Sequence, residues 1–538
     1  MLKGEWKTIA TNVMLGLTMI LTLYVIVVLE PGYYHADCTD TIMWAGASYD
    51  AGTFINPDFS YAALMPLAGN IIMWPLIAIF GLGMKAQIIG MVIFFVMFVA
   101  AIFGFCRRSY FSMKETAVAI SLILLLVSSS EKLREIFWGH IIYYSFGPLL
   151  TLAVLAVVFR LRKEVKKNLA DKGVEKKTIA YGILLMVLTF IAGVNGVQIA
   201  AISVIPVLGA IAAYLFFEVK QPLLSKKNYS YLIVGGVVGI GTVLGIVSIK
   251  HFTGNVVASY ANAYSIFGKM EDWINNFFSI PNNVFTLLGV QLEDHTELFS
   301  LTGIFVMLRI VTAIILLGTP IAMLFRYQKI KKPEWKIVLL THHLVAAVIL
   351  FGWIFGRLNA ANWRLSPLIV TAALCCMIQV KEFRQKKMTG RLAALILIPM
   401  FCFMALTVRQ CLTIPEQSNA TKELKGVIQY LEENEYSYGY ATFWNANVIT
   451  LFSDSEVKTR CVKYTAEGIQ PDYYQTNRKW YGKDGEKGKC FVLMTQSEFA
   501  QLELGNMNQY TAEKDFGNFK ILTYEENIFN GENENAVY

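Results

Sequence analysis

Charge is scarce in this 538-residue sequence: Asp, Glu, Lys and Arg together make up 16% of it, against 55% hydrophobic residues. That balance excludes an ordinary soluble protein, in which about a quarter of residues are charged, and equally an intrinsically disordered chain. Cysteine is sparse as well: 8 in the whole chain are too few for a disulfide-stapled secreted scaffold. Histidine occurs only 6 times, and no His/Cys spacing matches a tight zinc motif. Internal repeats and low-complexity linkers are missing too. What the chain does have is long apolar runs, so its fold class reads as a polytopic α-helical membrane protein.

Residues 9–29 are long enough to cross the roughly 30 Å hydrocarbon layer and follow Lys3 and Lys7. They run into Glu30-Pro31-Gly32-Tyr33 with no small-residue cleavage site, which favours an uncleaved anchor over a signal peptide. Eleven further apolar segments fall near 65–82, 86–105, 116–130, 142–159, 178–194, 197–217, 230–249, 299–325, 337–356, 365–380 and 392–408. If all twelve crossed in alternation, Arg107, Arg108, Lys114 and the basic loop from Arg160 would lie on the wrong face. Laying 65–82 along the outer surface instead makes every basic cluster cytoplasmic, Lys220/Lys226/Lys227 included. About eleven spans follow, with the N-terminus in the cytoplasm and the C-terminal domain outside the cell membrane. Residues 30–85 and 250–298 are then long outer loops, and 131–141 and 357–364 short ones. Twelve of the body's 20 acidic residues fall in these loops, Glu293 and Asp294 among them, so the chemistry is expected outside.

The tail differs in composition. Residues 412–538 hold 12 basic and 19 acidic residues, whereas the rest of the chain holds 35 and 20. The division expected is a transmembrane module over 1–410 and a small extracytoplasmic α/β domain over 411–538. Leu424, Val427, Ile428 and Leu431 predict a helix over 421–433, and 496–504 reads as a second. Strand-like runs fall at 438–444, 457–464, 490–494 and 519–524.

The first outer loop carries the most specific pattern. It reads Glu30-Pro-Gly-Tyr-Tyr-His35-Ala-Asp37-Cys-Thr-Asp40, continues through Ala51-Gly-Thr-Phe-Ile-Asn-Pro-Asp58-Phe-Ser-Tyr, and runs from Pro66 to Phe80-Gly81. This order over 1–160, with many spans and then an outer C-terminal domain, resembles the membrane glycosyltransferases of the GT-C superfamily, such as the protein O-mannosyltransferases and the lipid A aminoarabinose transferases. In that family acids follow the first span directly, and a Pro-led surface helix closes on a Phe-Gly-like turn. Here the common acid pair is Asp37-Cys38 with the second acid at Asp40, and Lys85 is the nearest cation where an Arg often follows the surface helix. The resemblance implies an inverting glycosyltransferase, moving a hexosyl or pentosyl group from a polyprenyl-phosphate carrier to a glycan, lipid or protein acceptor of the cell envelope. A lipid-linked glycan flippase and an O-antigen ligase or polymerase are the rivals. The first calls for internal repeats, the second for a large late loop richer in Arg and His than 250–298, which has Lys250, His251, Lys269 and His295. Membrane lipids are the expected surroundings, and nothing points to nucleic acid.

Such a transfer needs a carboxylate to take the acceptor's proton and cations to steady the departing phosphate. Asp37 and Asp40, three apart, can share one face of a helical turn, with Asp37 as the base; helix capping is the plain alternative. No cofactor is certain, and a divalent metal on Asp37, Asp40 and His35, with His140 nearby, is left open. For the donor phosphate, Gly356-Arg357-Leu-Asn359-Ala-Ala-Asn362-Trp-Arg364 places two arginines beside amides against the positive-inside bias. Arg357, Arg364, Asn359 and Lys85 form that candidate group, headgroup contact being the alternative. His35, Asp58, Arg134, His140 and Arg309 are candidates for lining the same cavity; Arg309, inside a span, requires an interior partner. Asn195 reads as a turn residue and His342-His343 as the start of a span. Cys461 and Cys490 share a compartment that permits a disulfide. Trp444, Trp480, Tyr473, Tyr474 and Tyr481 suit either sugar stacking or a domain core.

Overall fold

The structure, a computed structural model, describes residues 2–218, 222–260, 263–292, 295–385, 390–465, 468–482, 485–502 and 510–529. Lys220, Glu293, Asp294 and the last two residues of the helix expected at 496–504 lie outside the described residues.

Helix α1 (Leu2–Tyr24) continues through a π turn at Val25–Leu29 and a 3-10 turn at Glu30–Tyr33, making one apolar rod. Pro31, which has no N–H to give, sits where the rod ends. The chain extends at Tyr34 and re-enters a helix as α2 (Ala36–Ala51), closed by Gly52 in the left-handed conformation at φ 64°. Helix α3 (Gly69–Phe80) has 12 residues; at about 18 Å it is too short for a roughly 30 Å hydrocarbon layer. Its first residue must be glycine, because a Cβ there would lie 2.1 Å from Thr41 Cγ2 on α2.

The body continues with α4 (Met84–Arg108) and α5 (Met113–Leu126), the latter opened by a capping box of Ser112 and Glu115. After Ser128-Ser129-Ser130 come α6 (Glu131–Arg134) and a π turn at Glu135–Gly139, bent 114° from α5. Then follow α7 (Tyr143–Asp171), α8 (Lys176–Val194), α9 (Val197–Ile202), α10 (Val204–Glu218), α11 (Tyr229–Val247) and α12 (Ile249–Thr253). Helices α13 (Trp273–Leu287), α14 (Leu301–Phe325), α15 (Pro333–Ile354), α16 (Ser366–Gln385) and α17 (Gly390–Thr413) complete it. Helix α16 is buried along nearly its whole length and packs against α5, α7, α14, α15 and α17.

Among the described residues nine helices are long and apolar enough to cross a membrane, or ten if α5 and its bent continuation count as one. All eleven expected segments are helical, but two are not straight spans. Around 116–130 the helix stops at 14 residues, where the serine cluster turns the chain: Ser130 caps α6, and Ser128 Oγ accepts the Trp138 indole N–H at 2.9 Å. Around 197–217 it breaks at Ser203, because Pro206 has no N–H for the Ile202 carbonyl. Thr151 on α7 donates to that carbonyl instead, at 3.4 Å. His342 and His343 do not begin their span. Pro333 at the first helical position starts α15 earlier, so His342 is buried mid-helix, its Nδ1 2.9 Å from Thr371 Oγ1.

The tail folds into α18 (Asn419–Glu433), β1 (Tyr438–Ala441), α19 (Phe443–Phe452), β2 (Lys458–Thr465), β3 (Gly468–Pro471), β4 (Cys490–Thr495), α20 (Gln496–Gln501), β5 (Ala512–Phe516) and β6 (Phe519–Tyr524). The sheet order is β3-β2-β1-β4-β6-β5, with β1 parallel to both neighbours and the outer pairs antiparallel. The run expected as a strand to 444 ends at Ala441, and Thr442 turns the chain into α19. Cys461 and Cys490 do not pair. They lie on β2 and β4 with β1 between, in cores on opposite faces of the sheet. Two strand spacings are roughly 9–10 Å, beyond the reach of a disulfide. Alkylation of the denatured protein, with and without prior reduction, should therefore label both cysteines to the same mass; a reduction-dependent gain of two labels would contradict the sheet order.

Candidate active site

A cavity of about 1010 Å³ opens where the first loop, the body and the tail meet. Helix α2 contributes Asp37, Asp40 and Trp44, spaced i, i+3 and i+7 and therefore on one face. Glu135 and His140 come from the π turn and its end, Tyr143 and Tyr144 from the start of α7, and Lys250 from α12. Tyr260, Tyr264, Trp363 and Arg364 face them, and the tail closes the wall with Phe443, Trp444 and Tyr474.

The Asp37 carboxylate, in the first turn of α2, is half-buried and takes part in no hydrogen bond among the described residues. Asp40 Oδ1 accepts a hydrogen bond from Gln475 Nε2 of the tail at 2.7 Å. Burial and the like charge of Asp37 push the Asp40 carboxyl well above the usual range, although the Gln475 bond works the other way.

His35 turns from these carboxylates to Glu135, its Nε2 3.2 Å from Oε2. Lys132 pairs with the same oxygen, and His140 Nε2 lies 3.7 Å from Glu135 Oε1. Burial opposes a charged His35, yet Cys38 and Glu135 together raise its pKa above the ordinary value. Among the described residues no group of three or more His, Cys, Asp or Glu side chains is placed to hold an ion. With His35 turned to Glu135, Asp37, Asp40 and His35 are not gathered into a three-ligand metal site.

Arg364 is the buried cation of the wall. Its Nε donates to the Tyr144 hydroxyl at 3.0 Å and its Nη1 to the Arg357 carbonyl at 2.8 Å, with the guanidinium 3.8 Å from the centre of the Tyr264 ring. The Tyr144 hydroxyl in turn donates a hydrogen bond to the Tyr143 hydroxyl at 3.0 Å. The 3-10 turns at Leu358–Ala360 and Asn362–Leu365 separate the two arginines of this loop. Arg364 is turned inward, while the Arg357 side chain is exposed and outside the wall, present at the site through its carbonyl alone.

The other expected residues are dispersed. Asn359 donates to Asn276 at 2.7 Å, and Lys85 lies over Phe80, 4.5 Å from the ring centre; neither lines the cavity. Asp58 pairs with Lys479 at 2.7 Å and helps fasten the tail to the first loop. Arg134 is buried behind the wall on Glu30 at 2.9 Å. Arg309 finds interior partners, Ser129 O at 3.0 Å, Leu288 O at 2.8 Å and Gln410 Oε1, and likewise does not line the cavity. His140 and Asn195 do line it; Asn195 Oδ1 accepts from the Leu67 N–H at 2.8 Å. Of the tail aromatics, Trp444 and Tyr474 reach the wall, whereas Tyr481 is buried in the domain and Trp480 packs on Arg460. Sequence reasoning missed Lys250, Tyr143, Tyr144, Tyr264, Trp363 and Gln475 as site residues. Trp44 was missed as well, although its i+7 spacing from Asp37 could have found it.

No family model and no curated protein matches the sequence. Structurally, the chain resembles ArnT from Cupriavidus metallidurans in the apo state, with a TM-score of 0.52 at 11% identity over 96% of this chain and 98% of that one. It also aligns with the apo form of an Archaeoglobus fulgidus oligosaccharyltransferase, with a TM-score of 0.48 at 11% identity over 90% of this chain and 69% of that one. At such identity the likeness to ArnT is one of fold: a polytopic helical body followed by a small C-terminal domain. That layout, many spans followed by a small C-terminal domain, is the one expected from the order of elements in the sequence.

Proposed function

We propose that the chain is an inverting glycosyltransferase that moves a sugar from a polyprenyl-phosphate carrier to a glycan, lipid or protein of the cell envelope, at the outer membrane face. One observation carries this reading: a single cavity presents the Asp37–Asp40 face of α2 together with two cations, Arg364 and Lys250, within aromatic walls. In the proposed step Asp37 takes the proton of the acceptor nucleophile as that atom attacks the anomeric carbon. The bond from carbon to the phosphate oxygen breaks on the opposite side, its electron pair leaves with the carrier phosphate, and Arg364 and Lys250 meet the growing charge. Trp44, Trp363 and Trp444 offer faces on which sugar rings can stack.

The reading is tested by mass spectrometry of lipids and envelope glycans from cells with and without the gene. Loss of the gene should leave a sugar-loaded polyprenyl carrier unconsumed and one glycan, lipid or protein unmodified; identical profiles would refute the proposal. Orientation has its own test. Lys85 and Arg107 lie at opposite ends of α4, so each is replaced by cysteine in a protein otherwise free of cysteine and treated with an impermeant reagent on intact cells. Labelling at 85 alone is expected, and labelling at 107 alone would invert the topology.

A further inference from the structure

We propose that Gln475, carried by the C-terminal domain, is a positioning residue of the transfer site: it seats the domain on α2 and fixes the orientation of the Asp40 carboxylate. This rests on the glycosyl-transfer reading above, and it makes the tail a working part of the cavity instead of an appendage.

The geometry leaves little freedom. An indole N–H can only donate, so Trp44 Nε1, 2.5 Å from Gln475 Oε1, selects the amide oxygen. The amide nitrogen is then directed at Asp40 Oδ1, at 2.7 Å. One side chain therefore bridges positions 40 and 44 of the same helical face, and Asp37 is left open beside them. Gln475 is 1% exposed and holds a left-handed backbone at φ 56°, a conformation non-glycine residues rarely adopt without a reason.

The surrounding chain is clamped on both sides. Ser60 N donates to Thr476 O and Arg478 N to Asp58 O, both at 2.9 Å, and Asn447 Nδ2 of α19 reaches Gln475 O at 3.4 Å. Trp44 is itself braced by Tyr61, ring centres 6.2 Å apart. With the amide on Oδ1, Asp40 keeps its second oxygen for substrate. Without the amide the carboxyl group is free to rotate.

Docking alone would predict losses that do not depend on Asp40, so the test is a double-variant cycle on the purified full-length protein with a polyprenyl-phosphate-sugar donor. Gln475→Gly suits the left-handed backbone and removes the amide. It should lower kcat by roughly tenfold and leave donor KM within about twofold. In an Asp40→Asn background, where Asp37 still serves as base, the same change should cost less than about twofold. Gln475→Glu, which sets a carboxylate against Asp40, should lose more than Gln475→Gly. Should Gln475→Gly fold poorly, Trp44→Phe keeps the ring but removes the N–H that orients the amide. It should give a smaller kcat loss that likewise disappears with Asp40→Asn. Losses equal in both backgrounds, or parental kcat in Gln475→Glu and Trp44→Phe, would overturn this inference alone. A parental protein that transfers no sugar would overturn the proposed function and this inference with it.

Discussion

Asp37→Asn should lose about 10²–10⁴-fold in sugar transfer, the range typical of a missing general base, while its thermal midpoint stays near the parental one. Both halves follow from its surroundings. The Asp37 side chain is half-buried at the cavity, and no hydrogen bond among the described residues depends on it. The substitution therefore strands no buried donor and opens no space in the core. The amide keeps the shape of the carboxylate but cannot accept the acceptor's proton. Asp40→Asn should cost less, since Asp37 remains and the amide oxygen can still accept from Gln475. The measurement is kcat and KM with a polyprenyl-phosphate-sugar donor, alongside thermal unfolding. Parental turnover in both variants would remove the α2 face from the chemistry.

What the sequence showed of this site was whatever is local in the chain. Asp37 and Asp40 were legible because a helix repeats every 3.6 residues, a spacing that could also have found Trp44, and the short reach of α3 follows from its length. The apolar segments were legible because the bilayer thickness fixes how long a span must be, yet the breaks within two of them depend on single contacts. Ser203 and Pro206 break a helix whose freed carbonyl is met by Thr151, 51 residues away. Arg357 and Arg364 looked equivalent in sequence. Only the two short 3-10 turns decide that one guanidinium enters the cavity and the other lies exposed outside it.

Residues brought in from afar gave no signal at all. Gln475 meets Asp40 across 435 positions. Trp444 could be singled out as an aromatic suited to sugar stacking, but Phe443 and the helical setting of both were hidden, because their run reads as a continuing strand whereas Thr442 starts a helix there. Its β-branched and aromatic residues suit a strand in isolation, and packing of α19 against β2 and α2 overrides that preference. Lys250 could be seen as a cation of the second long loop. Its approach to the cavity depends on α12 following α11 directly.

Arg364→Gln should lower kcat/KM by about 10²–10³-fold, the scale found when one preorganised donor to a developing oxyanion is removed. The residue is built for the task. Tyr144 and the Arg357 carbonyl hold its Nε and Nη1, and Tyr264 packs on its face, so the guanidinium is fixed before substrate arrives. Arg364→Lys should recover only part of the loss, since an ammonium restores the charge but not the planar fork or the stacking on Tyr264. In both variants donor KM should rise and kcat should fall, because the phosphate gains charge as the sugar leaves. Arg357→Gln should leave donor KM close to parental, as its side chain lies outside the wall and its carbonyl is retained. A headgroup-anchoring role for Arg364 would give the opposite result, with kinetics in detergent unchanged and insertion or stability altered. Parental donor kinetics in both Arg364 variants would move the carrier phosphate away from this end of the bundle and leave Lys250 without its partner.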